Sequence, residues 1–192
     1  NTTGGSNNAF GAAALNSNTT GAQNVAMGTG ALFYNTTGSY NTALGHAALE
    51  TNTADSNTGV GQAALYANTT GTRNTAVGDR ALDANTTAND NTAIGFKALS
   101  ANSTGARNTA LGSYALDSNT TAHDNIAIGY DALQVNTTGN QHTIIGNYAG
   151  DAITTGVQNT ALGYQALTSC TTGGQNCSIG SFTLRDCTGG EN

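Results

Sequence analysis

The chain has 192 residues, a formal net charge of −6 and only 8% charged residues, with 26 Gly and neither Pro nor Trp. No basic face exists to displace counterions from a nucleic acid, and no apolar run reaches the ~18 residues of a membrane span. Aliphatic residues recur on a strict beat, which separates the chain from disordered polar sequence and makes the repeat the object to be read.

Followed from the N-terminus, the motif Asn-Thr-Ala-aliphatic-Gly begins at Asn7 and recurs at Asn24, Asn41, Asn57, Asn74, Asn91, Asn108, Asn125, His142, Asn159 and Asn176. Every step is 17 residues except the 16 leading into Asn57. With columns numbered from that first position, column four is apolar in all eleven coils, from Phe10 to Ile179, and column five is Gly throughout, from Gly11 to Gly180. Column eight is Ala except at Thr183, and column nine is Leu except at Gly150. All sixteen charged residues fall in columns six, seven, ten, eleven, sixteen and seventeen. Burying an unpaired charge is prohibitive, so those columns face solvent.

This separation predicts an all-β fold, a parallel β-solenoid of about eleven 17-residue coils stacked ~4.8 Å apart. The whole of 1–192 reads as a single repeat array, a segment of a longer solenoid without capping ends. A helical repeat is disfavoured because Gly, Asn and Thr fill about half of each unit. The Gly of column five reads as a tight corner with positive φ, Gly95 being a sensitive example. Strand alternation is expected to send columns two and four inward and column three outward. Column three is Ala in eight coils, with Gly59, Ile144 and Ser178 as exceptions. A row of small outward residues admits two readings, the close approach of another chain or a loop of the same coil lying over it.

Column twelve is Asn in coils one to eight, then Ile153, Cys170 and Cys187. Stacked Asn amides bond along the axis of cross-β assemblies, whereas Asn also simply suits turns. The apolar replacements favour an inward ladder. Column seventeen runs Arg73, Asp90, Arg107, Asp124, a charge ladder of opposite signs one coil apart. Column ten places acids in alternate coils at Glu50, Asp83, Asp117 and Asp151. Both patterns fit parallel in-register stacking. Duplication of a 34-residue unit without functional content explains them equally.

The segment Asn125-Ile126-Ala127-Ile128-Gly129, and more loosely Val25-Ala26-Met27-Gly28, resembles the head repeats of trimeric autotransporter adhesins of the YadA type. Similar repeats occur in phage tail fibres and long bacterial surface fibre proteins. The resemblance implies a left-handed β-roll, three chains side by side, and a surface that binds host matrix or other cells. Two departures stand against it: the coil is 17 residues rather than roughly 14 to 15, and Thr usually fills column two where those heads carry an aliphatic.

No catalytic constellation emerges, and the chain is not expected to be an enzyme or to hold a cofactor or metal. His46, His123 and His142 lie in three different columns, His142 replacing a column-one Asn. The Cys spacing is not that of a zinc site. The Asn-x-Thr sequons, as at Asn35, Asn68 and Asn136, are by-products of the repeat and would be hidden by an inward ladder. Cys170 and Cys187 share a column in adjacent coils, so a Cα separation of ~4.8–5 Å allows either a disulfide or a reduced pair filling the ladder's place. Cys177 is expected as a buried thiol. Phe96, Tyr114, Tyr130, Tyr148, Tyr164 and Phe182 fall one per coil, alternating between columns six and seven, and form a candidate contact stripe. The stripe reads as a docking seam for another chain or a glycan, or as rings packed only on each other.

The expected function is therefore structural: an extracellular or cell-surface fibre, or a virion fibre, with an adhesive or display role. Its expected partners are copies of itself, a trimer by the resemblance, and a glycan or cell-surface target. The alternative is a solenoid that binds a regular surface, glycan or ice, through the near-constant Thr of columns thirteen and fourteen. Adjacent strand residues point to opposite sides, which argues against a wide two-row Thr face.

Overall fold

The computed structural model describes residues 2–184 and contains strands and turns but no helix among them. Each coil contributes one three-residue strand, from β1 (Asn8–Phe10) to β11 (Cys177–Ile179). The eleven strands form one parallel sheet in sequence order. Register is preserved through the short coil, where Thr42 pairs with Thr58 and Leu44 with Val60. A β-solenoid of 17-residue coils is the fold.

The interior is narrow and built from columns three, eight, nine and twelve. Ala43, Ala48, Leu49 and Asn52 of one coil are all fully buried, and the pattern repeats along the array. The expected phase of the strand is thus reversed: column three points inward, and columns two and four point outward. The alternation itself holds, but the interior beside the strand has room for little more than a methyl group. A Cβ added to Gly59 would sit 3.0 Å from the Ala64 carbonyl and 3.2 Å from Leu49 Cγ. The inference of a neighbouring chain from an outward Ala row falls with this correction. The outward apolar row is column four.

Packing is coupled across the coil. In coil nine the column-three Ala becomes Ile144, and the facing Leu becomes Gly150. A Cβ on Gly150 would lie 3.3 Å from Ile144 Cγ2 and 3.1 Å from Ile153 Cδ1. In coil eleven, Ser178 and Thr183 change together, and their hydroxyls lie 2.7 Å apart. Both exchanges keep a close-packed interior filled.

Column five is a corner. Gly95 has φ +139°, and a Cβ there would fall 2.5 Å from the backbone carbon and oxygen of Gly112 in the next coil. Three further corners are left-handed, and only Gly30 and Gly150 fill them with Gly among the described residues. In coil five these are Arg80 (φ 54°), Leu82 (φ 53°) and Asp90 (φ 62°), at columns seven, nine and seventeen. Among the described residues no Val, Ile or Thr occupies a left-handed position, as expected for a region that penalises β-branched residues most. Each corner N–H is tied to a neighbouring coil. Arg80 donates to Gln62 O at 2.9 Å, Leu82 to Ala98 O at 3.1 Å and Asp90 to Thr72 O at 3.1 Å.

Two Asn ladders complete the interior. Asn85 Nδ2 donates to Asn68 Oδ1 at 2.7 Å, and Asn119 Nδ2 to Asn102 Oδ1 at 2.8 Å, confirming column twelve as an inward ladder. A second ladder, unforeseen, runs up column one: Asn91 Oδ1 accepts the Asn108 backbone N–H at 2.9 Å. The two converge, since the Gly105 carbonyl accepts from both Asn91 and Asn102 at 2.9 Å. The sequon asparagines Asn35, Asn68 and Asn136 are accordingly buried. The 16-residue coil breaks the column-twelve ladder once. Asn52 turns its amide to Ala54 O, and the buried Asn35 Oδ1 is left without a partner.

Candidate functional site

Because the interior is filled by small side chains and amides, the features able to meet a partner lie on the outer columns. The strand face is the most regular of them. In most coils Thr and an aliphatic side chain project at columns two and four, with Ile94 38% and Leu162 46% exposed; Asn8, Val25, Ile126 and Cys177 replace the Thr and Phe10 the aliphatic. No charged residue occurs in either column, so the face is an uncharged aliphatic and hydroxyl strip along all eleven coils. Coil eight presents both Ile126 and Ile128 outward.

The second feature is the edge formed by columns six, seven and ten. The expected aromatic stripe is continuous there. Ring centroids are separated by 5.2 Å for Phe96–Tyr114, 6.2 Å for Tyr114–Tyr130 and 5.3 Å for Tyr130–Tyr148. The row continues at 6.1 Å to Tyr164 and 5.3 Å to Phe182, every contact near-perpendicular. The rings thus do pack on one another, in the edge-to-face geometry aromatic pairs prefer. They stay open to solvent as well: Phe96 is 39% and Tyr130 42% exposed. Carboxylates flank them. Burial raises the pKa of Asp131, whose shielded Oδ1 has no hydrogen-bond partner, and also that of Asp151. Asp117 accepts a hydrogen bond from the Ser100 hydroxyl.

Farther up the same edge, where alanines replace the rings, a shallow cleft of ≈ 360 Å³ is lined by His46, Glu50, Gln62, Tyr66, Arg80 and Asp83 among others. It combines one aromatic face with hydrogen-bonding groups of both charges. Burial is the main reason that the Asp83 pKa is raised, opposed by Arg80.

The charge ladder resolves into two bidentate pairs. Arg73 Nε and Nη2 meet Asp90 at 2.6 and 3.0 Å, and Arg107 meets Asp124 at the same distances. Asp124 also contacts His123 Nδ1 at 2.8 Å. Arg107 first, and then His123, hold its pKa down at about 2. These pairs are exposed and fix register more than stability. The three histidines remain apart in function: His46 lines the cleft, His123 joins the Asp124 pair, and His142 substitutes in the column-one ladder. His142 Nδ1 accepts the Asn159 N–H at 3.2 Å, and Nε2 lies 2.7 Å from the Gly156 carbonyl.

Two further expectations need correction or delimiting. Cys177 is an exposed free thiol rather than a buried one, because column two points outward. Cys170 is buried and disulfide-bonded, while its expected partner Cys187 lies outside the described residues. Columns thirteen and fourteen are a bend rather than a strand, so Thr69 and Thr70 are both exposed. Thr69 nevertheless donates its hydroxyl to Thr86 O at 2.9 Å, leaving column fourteen as the open hydroxyl row. The aliphatic row of column four was missed as an outer face because apolarity was equated with burial. The joint change of Ile144 and Gly150 in one coil was the signal for the true interior.

No family model matches the chain, and neither curated proteins nor solved structures show a significant match to it.

Proposed function

We propose that this array is a rigid segment of an extracellular or cell-surface fibre in which copies of the chain associate through the strand face, three copies being the number the adhesin resemblance implies. The observation that carries this reading is the uncharged aliphatic row of column four, solvent-facing from Phe10 to Ile179. A soluble protein rarely leaves so long an apolar strip uncovered. Closed symmetric assembly covers it with identical strips. The stacked coils supply length and stiffness, since each contacts only its neighbours along one axis. The outer edges then remain free for display or adhesion.

Analytical ultracentrifugation of the chain and of Ile94→Ser/Leu111→Ser/Ile128→Ser tests this. The parent is expected to sediment as a trimer, and the triple variant as a folded monomer with an unchanged far-UV spectrum. A parent that is monomeric at tens of micromolar, with this row intact, overturns the association.

A second reading rests on the open Thr hydroxyls of column fourteen, which recur on a stiff lattice in coils one to ten except the 16-residue coil three. Such a lattice suits a regular surface, glycan or ice. Thermal hysteresis in the parent would favour ice, and its absence leaves the fibre reading in place.

A further inference from the structure

We propose that the edge of columns six, seven and ten in coils six to ten binds a linear β-1,4-linked glycan carrying free amines, laid along the solenoid axis. This deepens the adhesive role proposed above and does not depend on whether copies associate.

Three observations meet on this edge. First, the column-six rings Phe96, Tyr130 and Tyr164 are 39–42% exposed and recur every second coil, with the column-seven ring Phe182, 53% exposed, at the end of the row. Their spacing of about 9–10 Å is twice the strand separation, close to one disaccharide of a β-1,4-linked chain. In such a chain every second pyranose presents the same face, so alternate sugars can stack on successive column-six rings. The column-seven rings Tyr114 and Tyr148 hold these platforms through perpendicular contacts.

Second, the edge is acidic beside the rings. Asp117, Asp131 and Asp151 lie in successive coils and each interacts with the next through its charge. No Lys or Arg occurs from 108 to 184. A cationic ligand is therefore complementary, and an ammonium beside an aromatic ring gains cation–π attraction as well. Lys97 Nζ, 5.8 Å from the Phe96 ring centroid, shows a cation in that position at the start of the row. Third, the Tyr130 hydroxyl is hydrogen-bonded with the Asp131 carboxylate, so a ring able to stack on a sugar and a carboxylate able to attract its ammonium stand side by side.

Titration calorimetry at low ionic strength, with β-1,4-linked glucosamine hexamer, N-acetylglucosamine hexamer and cellohexaose as probes, tests the proposal. The amine hexamer is expected to bind, and the two uncharged hexamers about fivefold or more weakly, the equivalent of one exposed ion pair. Tyr130→Ser/Tyr164→Ser should lower amine-hexamer affinity at least about tenfold. Should that variant melt early, Tyr130→Leu/Tyr164→Leu replaces it. Asp117→Asn/Asp131→Asn/Asp151→Asn, which preserves shape, should bring the amine hexamer down to the level of the uncharged probes. No binding of the amine hexamer overturns the proposal. So does equal binding of cellohexaose, or binding that survives the Tyr changes and vanishes with the Asp changes, which marks unspecific attraction of a polycation. Sedimentation of the same variants reports association separately, so failure here leaves the fibre reading untouched.

Discussion

Coils one to eight and coils nine to eleven solve the same interior in different ways. In the first group, column three is small, column nine is Leu and column twelve is Asn, so hydrogen bonds along the axis occupy the centre. In the second, Ile153 and Cys170 replace the amides, Ile144 and Gly150 trade volume, and Ser178 bonds Thr183. His142 keeps the column-one ladder with a ring in place of an amide. The lesson is that a core position here is specified by its facing positions within the coil and by its neighbours along the axis. The identity of the column alone does not specify it.

One position tolerates neither solution. Gly95 meets the next coil's backbone at 2.5 Å and adopts a φ open to Gly. Gly95→Val is expected to cost more than about 4 kcal/mol and to unfold the array locally, as a large drop in melting temperature would show. An unchanged melting temperature would mean that the corner can relax.

The volume exchange in coil nine gives the sharpest contrast. Ile144→Ala should cost about 3 kcal/mol by leaving a cavity, and Gly150→Leu should be comparably harmful through overpacking. Combined, they restore the Ala–Leu pair of coils one to eight while Ile153 stays at column twelve, and should recover part of the loss. A double-mutant cycle by urea unfolding measures it, and simple additivity would refute the coupling.

His142 separates the two regions by pH. Burial depresses its pKa to about 4, against 6.5 for the free side chain. The unfolded chain then takes up a proton first as pH falls. The stability present above pH 6.5 is therefore lost progressively down to about pH 4. Between pH 7 and pH 5 the loss should be about 2 kcal/mol. His142→Asn, which restores the residue used in the other coils, should abolish that part of the pH dependence while leaving the carboxylate contributions in place.

Much of this is legible in the sequence itself. The Gly of column five, the Asn of column twelve and the exclusion of charge from the interior gave the solenoid, its register and the first ladder. The aromatic row was also legible, because side chains in successive coils must lie side by side. What was not legible was the phase of the strand. Ile94 and its column-mates are the most hydrophobic residues of the motif, and a single-chain view places them inside. They face outward, where the proposed assembly would cover them. Nor did the sequence announce that Leu82 and its counterparts turn corners in the left-handed region, since Leu carries no conformational signature of its own. The missing β-branched residues at columns seven, nine and seventeen were the available clue.

Those corners bear on how the molecule comes to be folded. A left-handed L-residue is disfavoured by roughly 1–2 kcal/mol, and most coils hold three besides the Gly corner, Gly30 and Gly150 taking one such place in coils two and nine. The N–H groups of Arg80 and Asp90 bond back to the preceding coil, while that of Leu82 bonds forward. A lone coil has neither partner and would spring open. Each turn is therefore moulded by a finished one, and the array should grow like a crystal from a seed, slow to start and quick to extend. Its assembly time would then depend on where the first pair of coils forms.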